Sequence, residues 1–161
     1  GFLKGFQPFA GYNYGAKKYE RLKKSIRLCM IWSTVFCIAA AIVLFIFADP
    51  IVSLFGTDIE MAGIAAKALR LNAVLFITFG FQMVYASLYL AIGKSLVGSV
   101  LSLSRQGIFF FPLVMVLPHI MGLTGVVWVQ PMADLLTTIL TIVFAVRINH
   151  TLSTEIEMGE D

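Results

Sequence analysis

Charge is what this sequence has least of. Only 13% of its 161 residues are Asp, Glu, Lys or Arg, about half the share of an ordinary soluble domain. Histidine is confined to His119 and His150, and neither has Cys, His or acidic partners at metal-ligand spacing, so nothing points to a metal site. Cys29 and Cys37 are eight positions apart in one apolar run. On one helix they cannot bridge, and they say nothing of redox compartment. No nucleophile, base and orienting group recur together, which leaves an enzyme without a catalytic set. Basic residues are not interleaved with aromatics, so nucleic acid is not an expected partner. Gly93-Lys94-Ser95 ends like a phosphate-binding loop, but that pattern needs glycine at position 88, where Leu88 stands. ATP drive therefore has no support. No signal-peptide pattern opens the chain, which begins at Gly1 with its first methionine at Met30. The true amino terminus is expected to lie upstream.

What is present in quantity is apolar surface. Hydrophobic residues make up 59% of the chain and the mean hydropathy is +0.90. They fall in runs about 20 residues long, the length that crosses roughly 30 Å of hydrocarbon. Four spans are expected, over residues 28–48, 71–92, 96–117 and 123–146. The first ends at Asp49-Pro50, the second at Gly93-Lys94, the third at Pro118 and the fourth at Arg147. Only Arg105 interrupts the third and only Asp134 the fourth. Backbone groups in lipid must be satisfied within the segment, so the spans are helical. A barrel would need polar and apolar residues to alternate over about ten positions, and these runs do not. The fold class is all-α, a polytopic membrane helix bundle. Residues 1–16 are too short to span and read as the end of a truncated helix, Phe2 to Ala10 being its cytoplasmic end.

Basic residues set the orientation. Lys17, Lys18, Arg21, Lys23, Lys24 and Arg27 precede the first span as a loop over residues 17–27, Lys94 follows the second, and Arg147 follows the fourth. With alternating spans all eight share one side, whereas the other carries Lys67 and Arg70 beside Asp49, Asp58 and Glu60. The excess of Lys and Arg puts both ends of the chain in the cytoplasm. Residues 148–161 are then a cytoplasmic tail, disordered from Glu155 onward, and Asn149-His150-Thr151 is on the wrong side for glycosylation. Ile59 to Arg70 suits an interfacial start to the second helix.

Arg105 and Asp134 are the two ionisable groups deep in the apolar runs. Charges there cost at least about 2.5–3.5 kcal/mol and face a protein interior or a wet cavity. At 1.5 Å per residue both lie roughly 16–20 Å from the cytoplasmic boundary, so neighbouring helices can pair them. Asp134 then reads either as a protonatable, cation-attracting group or as half of a structural ion pair with Arg105. Gln130, Asp134, Thr138 and Thr141 recur at helical spacing, as do Thr78, Gln82, Tyr85 and Tyr89. Aromatic and amide faces suit large organic cations. Interhelical hydrogen bonding is the plainer explanation of the same stripes. Pro112 and Pro131 each remove a donor from within a span and favour kinks.

The stretch from Gly5 through Phe6-Gln7-Pro8-Phe9-Ala10-Gly11-Tyr12-Asn13-Tyr14-Gly15-Ala16 to Lys17 resembles a segment of the multidrug and toxic compound extrusion (MATE) family, in its MepA-like bacterial branch. So do Ser104-Arg105-Gln106, Phe111-Pro112-Leu113, Gly122 to Val126 and Gln130-Pro131-Met132-Ala133-Asp134, at matching separations. The resemblance implies twelve helices in two six-helix lobes, of which this chain would hold the end of the eighth through the twelfth. It implies export of cationic organic drugs in exchange for protons or sodium by alternating access across the bacterial plasma membrane, with no cofactor. Its partners would be the lipid bilayer and the missing amino-terminal lobe, without which the chain is expected to be inactive. Some branches carry a cation-binding acid in the tenth helix; residues 71–92 have none, which favours proton coupling through an acid in the first lobe. Two rivals are a lipid-linked oligosaccharide flippase of the same superfamily, which should show a basic cavity, and a non-transporting four-helix scaffold.

Overall fold

A computed structural model describes residues 2–54 and 59–158. Among them it contains helices and no strands. Helix α1 spans Phe2–Gly15, α2 Tyr19–Ile46, α3 Ala48–Ser53, α4 Ile59–Ala91, α5 Ser95–Leu103, α6 Phe110–Met121 and α7 Leu123–Met158. A π-helical segment, Ser104–Ile108, joins α5 to α6 in one span. Four helical stretches are long and apolar enough to cross a membrane: Tyr19–Ile46, Met61–Ala91, Ser95–Met121 and Leu123–Met158. Asp58 lies outside the described residues.

The helices overrun the expected spans, each for a local reason. The basic stretch expected as a loop is helical from Tyr19, leaving only the turn at Lys17, whose φ is +56°. Lys, Arg, Glu and Leu are good helix formers, and Leu22, Ile26 and Cys29 put one face of this extension into the core. Asp49-Pro50 does not mark the stop of the first span but sits inside α3. The proline ring clashes with the carbonyl four residues back, which is that of Ile46, and α2 breaks there. Helix α4 begins at Ile59, where the start of the second helix is expected ahead of its apolar run. Pro118 does not end the third span, which continues to Met121 and reverses at Gly122, φ +59° and ψ −136°. That corner is tight. A Cβ on Gly125 would collide with the Leu117 carbonyl.

The tail also departs from expectation. Helix α7 runs 11 positions beyond Arg147 to Met158, because Ile148 and Leu152 are fully buried in the core that α7 shares with α2 and α4. Residues 159–161 of the expected disordered tail lie outside the described residues.

Helix α4 is the hub and touches α1, α2, α3, α5 and α7. The α2–α4 crossing is close because Gly80 lets the Ser33 backbone within 3.1 Å of where a Cβ would stand. The main core gathers at the end of the bundle that carries the basic residues and includes Ala10, Leu22, Ile26, Leu88, Ile148 and Leu152. Towards the other end the outward faces of α2 and α6 are bare, with Trp32 60%, Phe36 72% and Phe111 67% exposed. Apolar area on that scale needs lipid or further helices to cover it.

Candidate functional site

Five polar residues of the spans, Gln82, Arg105, Gln130, Asp134 and Thr138, meet in one place. The π segment and α7 bring Arg105 and Asp134 together, and the guanidinium Nε donates to Asp134 Oδ1 at 2.6 Å. The Asp134 side chain is 4% exposed and that of Arg105 19%. Gln130, one turn back on α7, donates Nε2 to the same Oδ1 at 3.1 Å. From α4, Gln82 donates Nε2 to the Asp134 carbonyl at 3.1 Å and to Thr138 Oγ1 at 2.8 Å. The Thr138 hydroxyl donates to that carbonyl at 2.7 Å. The guanidinium also lies 4.5 Å from the centre of the Phe79 ring on α4, a cation–π contact that covers its apolar face. Three spans are thereby tied at one level by a charged pair and two amides.

The local backbone explains how Arg105 reaches. Within the π segment the Phe109 N–H bonds the Ser104 carbonyl, five residues back. Pro112 follows, and its i−4 partner would be Ile108, the last residue of the π segment. Having no N–H, Pro112 does not enforce α-helical pairing there. Such bulges re-aim side chains and recur at functional positions. Ser104, fully buried, returns its hydroxyl to the Val100 carbonyl at 2.5 Å.

The other residues singled out from sequence distribute differently. Tyr89 donates its hydroxyl to the Phe144 carbonyl at 2.8 Å and stands edge-on to the Phe144 ring. Tyr85 accepts a hydrogen bond from Asn149 Nδ2 at 2.9 Å. Both therefore serve the α4–α7 contact nearer the end that carries Lys94 and Arg147. Thr78 is not drawn into the cluster, and its hydroxyl bonds the Leu75 carbonyl of its own helix at 2.8 Å. Thr141 and Thr137 likewise bond backward along α7. Sequence reasoning missed Phe79 and Asn149. No periodicity flags a phenylalanine among many, but a polar Asn two positions past Arg147 was a visible signal. It also missed Asn72, half-buried on α4, whose Oδ1 is the buried side-chain polar atom without a partner among the described residues.

Chemically the cluster is a satisfied ion pair rather than a free charge. A carboxylate held by a guanidinium and an amide is an interhelical clamp. Among the described residues no three His, Cys, Asp or Glu side chains gather to hold a metal.

This arrangement of four spans has relatives. A family model described as MatE matches residues 1–116, more than half of the chain. The chain belongs to the MatE family. Curated MatE relatives include multidrug export protein MepA of Staphylococcus haemolyticus, 26% identical over 149 residues, which covers 91% of this chain and 32% of that protein. MepA of Staphylococcus aureus strain MSSA476 is 25% identical over 156 residues, covering 96% and 34%. A solved structure of the MATE multidrug transporter DinF-BH, in complex with a ligand, superposes with a TM-score of 0.82 at 40% identity, over 90% of this chain and 32% of that one. The MATE transporter VcmN of Vibrio cholerae, in its bent form, gives a TM-score of 0.76 at 22% identity, covering 95% and 34%, a likeness of fold alone. The chain thus spans about a third of the length of the relatives it matches.

Proposed function

We propose that this chain is the carboxy-terminal part of a secondary multidrug efflux transporter of the bacterial plasma membrane, which exchanges cationic organic drugs for protons or sodium by alternating access. The observation that carries the reading is the likeness to DinF-BH, a multidrug transporter solved in a ligand complex, supported by the MepA relatives. The Arg105–Asp134 clamp fits a lobe that moves as one body, since it ties α4, the π segment and α7 together. Coupling through a carboxylate in the amino-terminal lobe is the consistent arrangement. Among the described residues Asp134 is the one carboxylate buried in a span, and its charge is already met by Arg105. Gln82, Thr138 and Gln130 are proposed to border the drug cavity from behind that clamp, with Thr78 on the outward half, whereas Tyr85 and Tyr89 brace α4 against α7.

Ethidium efflux tests the proposal. Cells expressing a full-length gene that carries this sequence should extrude ethidium, with a rate that responds to external pH or sodium. Cells expressing the 161 residues alone should not. Efflux by the short chain would refute its dependence on the other lobe, and no efflux or resistance from a folded full-length protein would refute the drug assignment.

A further inference from the structure

At the cytoplasmic ends of α2, α4 and α7 lies a cleft of about 710 Å³, within the size range of sites that hold small ligands. Its charged lining is Lys23, Lys24 and Arg27 against one acid, Glu20, a net of two positive charges. Its floor is polar. Tyr85, 5% exposed, borders the cleft beside Asn149. The Tyr85 hydroxyl accepts the Asn149 amide, and its own proton has no acceptor among the hydrogen bonds of the described residues. Lys23 is held in place by a 2.7 Å bond to Ser153 Oγ on α7. Lys24 is 4.0 Å from Glu20 with both side chains largely exposed, a contact too weak to neutralise it. The cleft therefore presents ammonium, guanidinium and phenol donors together, and a cationic drug would be repelled from it. The matching ligand is an anion with several acceptor oxygens.

The position of the cleft narrows the choice. Arg27 immediately precedes the apolar stretch of α2, and Asn149 stands two residues past the basic end of the α7 stretch. Basic clusters at that level recognise anionic lipid headgroups. Ile26 and Met30 continue the wall of the cleft along α2 towards the bilayer, where the glycerol and first methylenes of a lipid would lie. We propose that this cleft binds the phosphodiester headgroup of an anionic phospholipid. The site is separate from the Arg105–Asp134 cluster and does not depend on the transport reading.

Native mass spectrometry of the purified 161-residue chain in a non-ionic detergent tests this. With phosphatidylglycerol and phosphatidylcholine in equal amounts, one phosphatidylglycerol should be retained with at least about tenfold preference. The triple variant Lys23→Gln, Lys24→Gln, Arg27→Gln should lose that preference, whereas Lys67→Gln, on the opposite side, should keep it. Tyr85→Phe removes one donor without touching charge and should weaken retention about tenfold, which keeps the test decisive if the triple variant misfolds. Inorganic phosphate at millimolar concentration should leave the lipid in place. Displacement of lipid by phosphate would overturn the lipid assignment. Equal retention of the two lipids, or unchanged preference in a folded triple variant and in Tyr85→Phe, would overturn the site.

Discussion

Replacing Arg105 with leucine isolates the energetics of the clamp. The change removes the 2.6 Å donor from Asp134 and leaves a carboxylate 4% exposed with one amide, that of Gln130, on the same oxygen. Breaking a buried pair from one side costs about 3–5 kcal/mol. Asp134→Asn is milder, at about 1–2 kcal/mol, because the amide oxygen still accepts from both donors and Arg105 keeps its place over Phe79. The double change Arg105→Leu, Asp134→Leu should recover most of the loss. The assay is unfolding of the detergent-solubilised chain in increasing dodecyl sulfate, followed by circular dichroism. If Arg105→Leu matches the parent, the clamp reasoning fails.

Three further substitutions probe other parts of the bundle. Gly80→Leu places a side chain where the Ser33 backbone already lies 3.1 Å from the Cβ position. It should separate α2 from α4 at a cost of about 1–3 kcal/mol, read in the same assay; an unperturbed transition would contradict the close crossing. Gln82→Ala removes two interhelical hydrogen bonds from α4 to α7 and should cost about 1 kcal/mol, at roughly 0.6 kcal/mol for each such bond in membranes. A loss above about 2 kcal/mol would show that the amide does more than join helices. Asp49→Asn breaks the 2.6 Å pair with Arg70, but the Asp49 side chain is 65% exposed and the effect should stay below about 1 kcal/mol. A larger loss in the same unfolding measurement would mean that this corner is covered.

The number of spans and the level of the clamp were legible in the sequence because each follows from one-dimensional arithmetic. Run length gives the spans, and the separations of Arg105 from Lys94 and of Asp134 from Arg147 give similar depths. Element ends were less legible. Pro50 acts on the carbonyl of Ile46, so the break precedes the signal. Pro118 sits in a helix that Gly122 ends. Residues 148–158 looked like a polar tail because Ile148 and Leu152 are sparse apolar positions, and only the packing of α7 on α2 and α4 shows what buries them. The grouping of polar stripes was also hidden. Periodicity put Thr78, Gln82, Tyr85 and Tyr89 on one face of α4 but could not say which neighbour each would meet. Thr78 turned to its own helix and Tyr85 to Asn149. The Phe79 contact with Arg105 depends on a π segment that no residue pattern announced.

Resistance of the expressed chain to alkaline carbonate tests the central claim most directly, because that wash strips proteins held at the membrane surface and leaves those that cross it. The 161 residues should remain wholly in the membrane pellet and leave it only with detergent. Recovery of folded, monodisperse chain in the carbonate supernatant would contradict the four bilayer-crossing helices, and with them the placing of the Arg105–Asp134 pair at mid-membrane depth.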